Sequence, residues 1–210
     1  MGVILKNDIG EGCRLGVWEI TENYEDLRSL LSLEYEEVKA LEGFGNLSRK
    51  LEWLSVRAMI NDLTGTNSRV VYNEARKPYL FDNSSHISVS HSKNYTSILL
   101  SQVKRVGIDL EYMSHRISNL ANRFINEHEK ITSSPDLKRY HLYIHWCAKE
   151  ALYKICDKKN INFKKNLTIE PFNPEDEGVI KGTVDNINGV DDYQLHYRRM
   201  NGYVMVWTCK

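Results

Sequence analysis

The chain has 210 residues, 41% of them hydrophobic, and its 28 Lys and Arg are matched by 28 Asp and Glu. That length allows one domain or two small ones with a real core, and the zero formal charge excludes a global field drawing the chain to nucleic acid or acidic membranes, so any anion site must be local. Cys13, Cys147, Cys156 and Cys209 form no CxxC pair, which argues against structural zinc and a secreted disulfide scaffold and for reduced thiols in a cytosol.

From the N-terminus, Met1 to Gly10 carries Lys6 and Asp8 and lacks the apolar core of a signal peptide. Residues 13–20 are rich in β-formers and predict a strand. Over 24–41, Leu27, Leu30, Leu31, Val38 and Leu41 recur at roughly helical spacing, with a polar interruption at Glu34 to Glu37. A second helix is predicted from a cap at Asn46 or Ser48 to Leu63, ended by Gly65, and its face of Leu47, Leu51, Leu54, Ala58 and Leu63 is core-like. Strand-like runs follow at 69–73, 86–90, 95–101 and 105–112. Helices are predicted over 117–131 and from Asp136 to about Cys156, with Pro135 near the start of the second. The C-terminal third returns to strands at 166–170, 178–184, 192–198 and 202–208, with Asn201-Gly202 as a hairpin turn. The polar stretch 171–191 reads as a mobile loop. No stretch approaches the roughly 18 apolar residues of a membrane span, so the expectation is a cytoplasmic protein without a membrane partner.

Helix followed by strands occurs twice. The expected fold class is therefore α+β, with two similar halves, 1–103 and 104–210, although no clean sequence repeat connects them.

Two short segments carry the chemistry. In Val106-Gly107-Ile108-Asp109-Leu110-Glu111 the carboxylates sit at i and i+2, on one face of a strand. In Trp146 to Lys154, Glu150 and Lys154 sit at i and i+4, on one face of a helix. Three carboxylates converging on one site suit a hard divalent cation, because Mg²⁺ takes oxygen ligands and substrate phosphates. The plainer alternatives are a strand-edge carboxylate at Asp109 and a solvated Glu150–Lys154 pair worth about 0.3–0.5 kcal/mol.

Gly107-Ile108-Asp109-Leu110-Glu111 followed by Trp146-x-x-Lys149-Glu150-Ala151-x-x-Lys154 resembles the signature of the 4′-phosphopantetheinyl transferases, of the larger surfactin-synthetase type. Ile87-Ser88-Val89-Ser90-His91-Ser92 resembles that family's Ser-His-Ser strand end, and Lys77-Pro78-Tyr79-Leu80 its Gly-Lys-Pro segment, in family order. The resemblance implies two α+β lobes related by a pseudo-twofold, each with a small antiparallel sheet and a long helix, with coenzyme A between them. It also implies a monomer acting on an apo acyl or peptidyl carrier protein. A carrier serine would attack the β-phosphorus of coenzyme A and expel adenosine 3′,5′-bisphosphate, chemistry governed by positioning and charge neutralisation.

On that resemblance Asp109, Glu111 and Glu150 hold Mg²⁺, and Glu150 is also the base that accepts the serine proton directly or through a water. Lys154 meets the pyrophosphate. Lys77, Ser90 and His91 bind the 3′-phosphate, with Arg49 as a further candidate. Arg57 matches a family position but suits an internal ion pair equally. Lys149 points away from Glu150 as a second-tier phosphate contact or a salt-bridge partner, and Trp146 is expected to pack between the lobes. Residues 116–130, with Arg116, Arg123 and Phe124, are expected to contribute to carrier docking. Arg76 replaces the family's glycine, which challenges the loop's backbone while adding a charge. Two rival readings are a catalytically inactive module that binds coenzyme A or a carrier, and a metal-dependent phosphoesterase.

Overall fold

The computed structural model describes residues 2–156, 161–187 and 189–210. The chain divides into two compact units, Met1–Val103 and Lys104–Lys210, each with its own apolar cluster. Both are mixed α+β, with antiparallel sheets and helices.

The first unit runs β1 (Val3–Asp8), β2 (Cys13–Glu19), α1 (Tyr24–Ser29), α2 (Tyr35–Glu42), α3 (Leu47–Thr64), β3 (Val70–Tyr72), β4 (Pro78–Leu80), β5 (His86–Ser92) and β6 (Tyr95–Ser101). Its sheet has the order β1-β2-β6-β5, and β3 and β4 form a separate ribbon. The α3 helix starts at Asn46, whose side chain accepts from Ser48 N, and stops at Gly65, which takes φ +73°. Leu54, Met59, Ile60 and Leu63 of α3 are buried with Trp18, Ile98 and Leu100 of the sheet.

Three features differ from the expectations for this half. The expected helix over 24–41 is two helices, because the Glu37 side chain accepts from the Glu34 N–H at 3.3 Å and starts α2 inside the polar interruption. Strand β1 was not anticipated, since it is a largely exposed edge strand with little apolar alternation. Nor was β4 anticipated as a strand, because Pro78 stands at its first residue.

The second unit runs β7 (Val106–Tyr112), α4 (Ile117–Phe124), α5 (Pro135–Ile155), α6 (Phe163–Asn166), β8 (Leu167–Ile169), β9 (Glu177–Asn186), β10 (Gly189–Met200) and β11 (Tyr203–Cys209). The sheet order is β7-β11-β10-β9-β8. Reciprocal backbone bonds join Arg105 to Lys210, at 2.8 and 3.0 Å, beside the β7–β11 pair. Pro135 occupies the first turn of α5. Helix α4 ends at Phe124 rather than near 131, because Ile125 is already extended.

The expected mobile loop 171–191 is corrected. Strand β9 and the start of β10 fill most of it as a paired hairpin, although Asn188 lies outside the described residues. Ile180 and Val184 are buried and each is followed by an exposed charged residue, Lys181 and Asp185, a half-buried alternation that reads as polar when averaged. The 171–176 stretch is held too: Tyr140 Oη donates to Glu175 O at 2.7 Å, and Phe172 stacks on His145 at 5.3 Å. All four cysteines are free thiols. Among the described residues no helix is long and apolar enough to cross a membrane.

Candidate functional site

In the second unit the site begins with Gly107. Strand alternation puts Gly107, Asp109 and Glu111 on one face of β7, and α5 packs there so closely that a Cβ on Gly107 would lie 2.2 Å from Ala151 O. Only glycine permits that approach. It lets Lys154 Nζ donate to Asp109 Oδ1 and to Ile108 O, each at 2.8 Å. Asp109 is 3% exposed.

Cys147, Glu150 and Lys154 form one stripe along α5 by their i, i+3 and i+7 spacing. Burial raises the Cys147 thiol well above its ordinary pKa, and the neighbouring Asp109 and Glu111 carboxylates add to that shift. The acidic face of β7 therefore lies against this stripe of α5. Glu111 and Glu150 are partly exposed beside the buried Asp109.

Among the described residues no three His, Cys, Asp or Glu side chains are gathered closely enough to form a ready-made metal cluster. The donors nonetheless fit a hard cation, being carboxylate oxygens on a β7 face against which α5 packs. A carboxylate has enough lone pairs to serve an ammonium and a cation together. Lys154 has spent two of its three N–H donors on Asp109 and Ile108, and its side chain keeps 16% exposure.

The neighbouring motif residues take structural places. Lys149 is completely buried and pairs with Glu129 at 2.9 Å, so it is the salt-bridge partner and not a phosphate contact. Trp146 packs edge-on against Phe124 at 5.2 Å and tilted against Phe163 at 5.5 Å, inside the second unit. Phe124 is 0% exposed and cannot belong to a docking surface, whereas Arg116 and Arg123 are exposed.

In the first unit, α3 and β5 bring Arg49 and His91 together. Arg49 Nη1 lies 2.8 Å from His91 Nε2 and 2.9 Å from Glu52 Oε2, and His91 Nε2 is 3.0 Å from the same carboxylate oxygen. Ser90 is buried and, one residue before His91 on the strand, projects to the opposite face. Lys77 closes the β3–β4 turn, its N–H donating to Asn73 Oδ1 at 2.9 Å. Arg76 takes φ +57°, so an arginine adopts the left-handed conformation that glycine adopts most readily.

Arg49 and Arg76 also line a cleft of about 520 Å³ with Arg57, Arg69, Trp53 and Tyr72. Arg57 is internal: it pairs with Glu37 at 3.0 Å and lies 3.1 Å over the Trp53 ring. The sequence reading missed Arg69, which belongs to no motif. Its place follows from the ribbon, where Phe81 N donates to Arg69 O and the guanidinium lies over the Phe81 ring.

A sequence model of the 4′-phosphopantetheinyl transferase superfamily matches residues 105–207. The chain is also similar to the 4′-phosphopantetheinyl transferase HetI of Nostoc sp. (strain PCC 7120), with 32% identity over 92 residues, which cover 40% of this chain and 39% of HetI. The family match contains Asp109, Glu111, Glu150 and Lys154, and Arg49, Lys77, Ser90 and His91 lie outside it.

Proposed function

Because the chain belongs to the 4′-phosphopantetheinyl transferase superfamily through its second unit, we propose that it transfers the phosphopantetheine arm of coenzyme A to a serine of an apo acyl or peptidyl carrier protein. The observation that carries this reading is the contact of Lys154 with Asp109 at 2.8 Å, which joins the two motifs of the matched region at one place.

On this reading Asp109, Glu111 and Glu150 hold Mg²⁺, which when bound neutralises the pyrophosphate oxygens. Glu150, partly exposed on the Lys154 stripe, accepts the serine proton directly or through a water. The serine oxygen forms the new bond to the β-phosphorus, and adenosine 3′,5′-bisphosphate leaves with the electron pair of the broken P–O bond. Lys154 turns its remaining donor to that developing charge.

The first unit supplies the 3′-phosphate contacts from Arg49, Lys77, Ser90 and His91. Arg49 and His91 are brought together by the Glu52 carboxylate, at 2.9 and 3.0 Å, and on this reading the 3′-phosphate competes with that carboxylate for them. Exposed Arg116 and Arg123 suit an acidic carrier. The two units are read as pseudo-twofold relatives in a cytoplasmic monomer.

Intact-mass spectrometry of an apo carrier incubated with the protein, coenzyme A and Mg²⁺ tests the reading, with a metal-free control. The expected result is a metal-dependent gain of one phosphopantetheine, about 340 Da from the group's formula, on a carrier serine. Bound coenzyme A with no carrier modified would favour an inactive binding module. Coenzyme A hydrolysed without a modified carrier would favour a phosphoesterase.

A further inference from the structure

Lys149 and Glu129 form an ion pair with both side chains 0% exposed and Nζ 2.9 Å from Oε2. Their remaining hydrogen-bonding capacity is spent on backbone. Lys149 Nζ also donates to Phe124 O at the end of α4 and, at 3.0 Å, to Phe163 O at the start of α6. Glu129 Oε2 accepts from Asn126 N at 2.8 Å, and Oε1 accepts from Ile169 N of β8 at 2.9 Å. Four backbone groups, in the two stretches 124–129 and 163–169, are thereby fastened to α5 at the residue preceding Glu150.

Burial lowers the Lys149 pKa, and Glu129 opposes that shift. Desolvation offsets much of the attraction in such a pair, so well-packed apolar residues would serve stability equally well. They would not orient four backbone groups from two stretches of chain. Both stretches contribute the walls of an open cleft of about 690 Å³, through Asn126, Glu127 and His128 on one side and Lys164, Lys165 and Thr168 on the other.

The geometry points to a positioning role for the Lys149–Glu129 pair. It fixes the 124–129 segment and the 163–169 segment against α5, so that this cleft and Glu150 keep one relative geometry. Its kinetic consequence rests on the transfer reading above; its structural consequence does not.

The test uses the full chain carrying Lys149→Met and Glu129→Gln together, which removes both charges at nearly constant volume. Thermal melting, amide exchange at Asn126 and Ile169, coenzyme A affinity by calorimetry and steady-state transfer are measured beside the wild type. The expected variant is folded and binds coenzyme A as the wild type does. Its two amides exchange faster, and kcat falls by about 100-fold, the scale of a misplacement of about 1 Å. A folded variant with wild-type kcat, or with unchanged exchange at both amides, would overturn the proposal. If the double variant does not fold, Glu129→Asp, which keeps the charge but withdraws it by one methylene, is read by the same measurements and the same criteria. A wild-type protein that modifies no carrier refutes the transfer reading alone, and the exchange arm then decides whether the pair anchors its segments.

Discussion

Each unit packs one long helix on an antiparallel sheet, but the contacts at the crossing differ. In the first, a Cβ on Gly16 of β2 would come within 2.4 Å of Met59 Cε, the tip of a flexible side chain on α3. In the second, the corresponding obstacle at Gly107 is the backbone of α5 itself, Ala151 O at 2.2 Å. A thioether can swing aside and a helical carbonyl cannot. The height of α5 above its sheet is therefore fixed by the main chain, and this is the helix whose Lys154 must reach Asp109.

The sharpest way to break that comparison is kinetic. On the proposed chemistry, Asp109→Ala or Glu150→Ala in the second unit should lower kcat by about 1,000-fold while the protein remains folded by thermal melting. In the first unit, Lys77→Ala or His91→Ala should raise the KM for coenzyme A by about tenfold, the loss of one charge-assisted bond, with kcat little changed. Equal kcat losses in both units would remove the division of labour between them.

The crossing contacts themselves come next. Gly107→Ala should cost about 3 kcal/mol in denaturant unfolding, since the backbone must shift, and Gly16→Ala about 1 kcal/mol, because Met59 can repack. Identical costs would contradict the distinction.

Acid should separate the units further. Burial lowers the pKa of His145 in α5 to about 3, and burial also lowers that of His141. His86 and His91 of the first unit are exposed. Because the unfolded chain binds the His145 proton more readily, this stabilisation is complete above about pH 6.5 and is lost as pH falls toward 3. Exchange-detected unfolding over that range should begin in the second unit, and His145→Leu should flatten its pH dependence. An unchanged slope would remove His145 as the cause.

The smallest effect concerns the β3–β4 turn. At φ +57° Arg76 bears a left-handed penalty that glycine does not, partly offset by glycine's greater freedom in the unfolded chain. Arg76→Gly should therefore stabilise the first unit by about 0.5 kcal/mol, seen as a higher denaturation midpoint.

The parts of the candidate site visible in the sequence were those with local periodicity. Asp109 and Glu111 at i and i+2, and Glu150 and Lys154 at i and i+4, need only a strand and a helix to share faces, and both elements stand where their patterns placed them. Lys149 was ambiguous because its partner, Glu129, lies twenty residues away, past the end of α4, where the sequence pattern extends the helix to 131. Its complete burial also runs against the usual exposure of lysine. The same limit explains the fold. An exposed edge strand such as β1 carries little apolar alternation, and the break between α1 and α2 depends on one side-chain bond at Glu34.

The reciprocal bonds between Arg105 and Lys210 make the chain path of the second unit nearly a closed ring, because strands β7 and β11 are also neighbours. A ring has no obligatory opening. A short peptide bridge between 210 and 104 would span almost no distance and impose little loop-closure entropy. The backbone could then be reopened at the exposed turn of Asn201 and Gly202. In engineering terms, the unit bearing Asp109, Glu150 and Lys154 is organised as a permutable cassette.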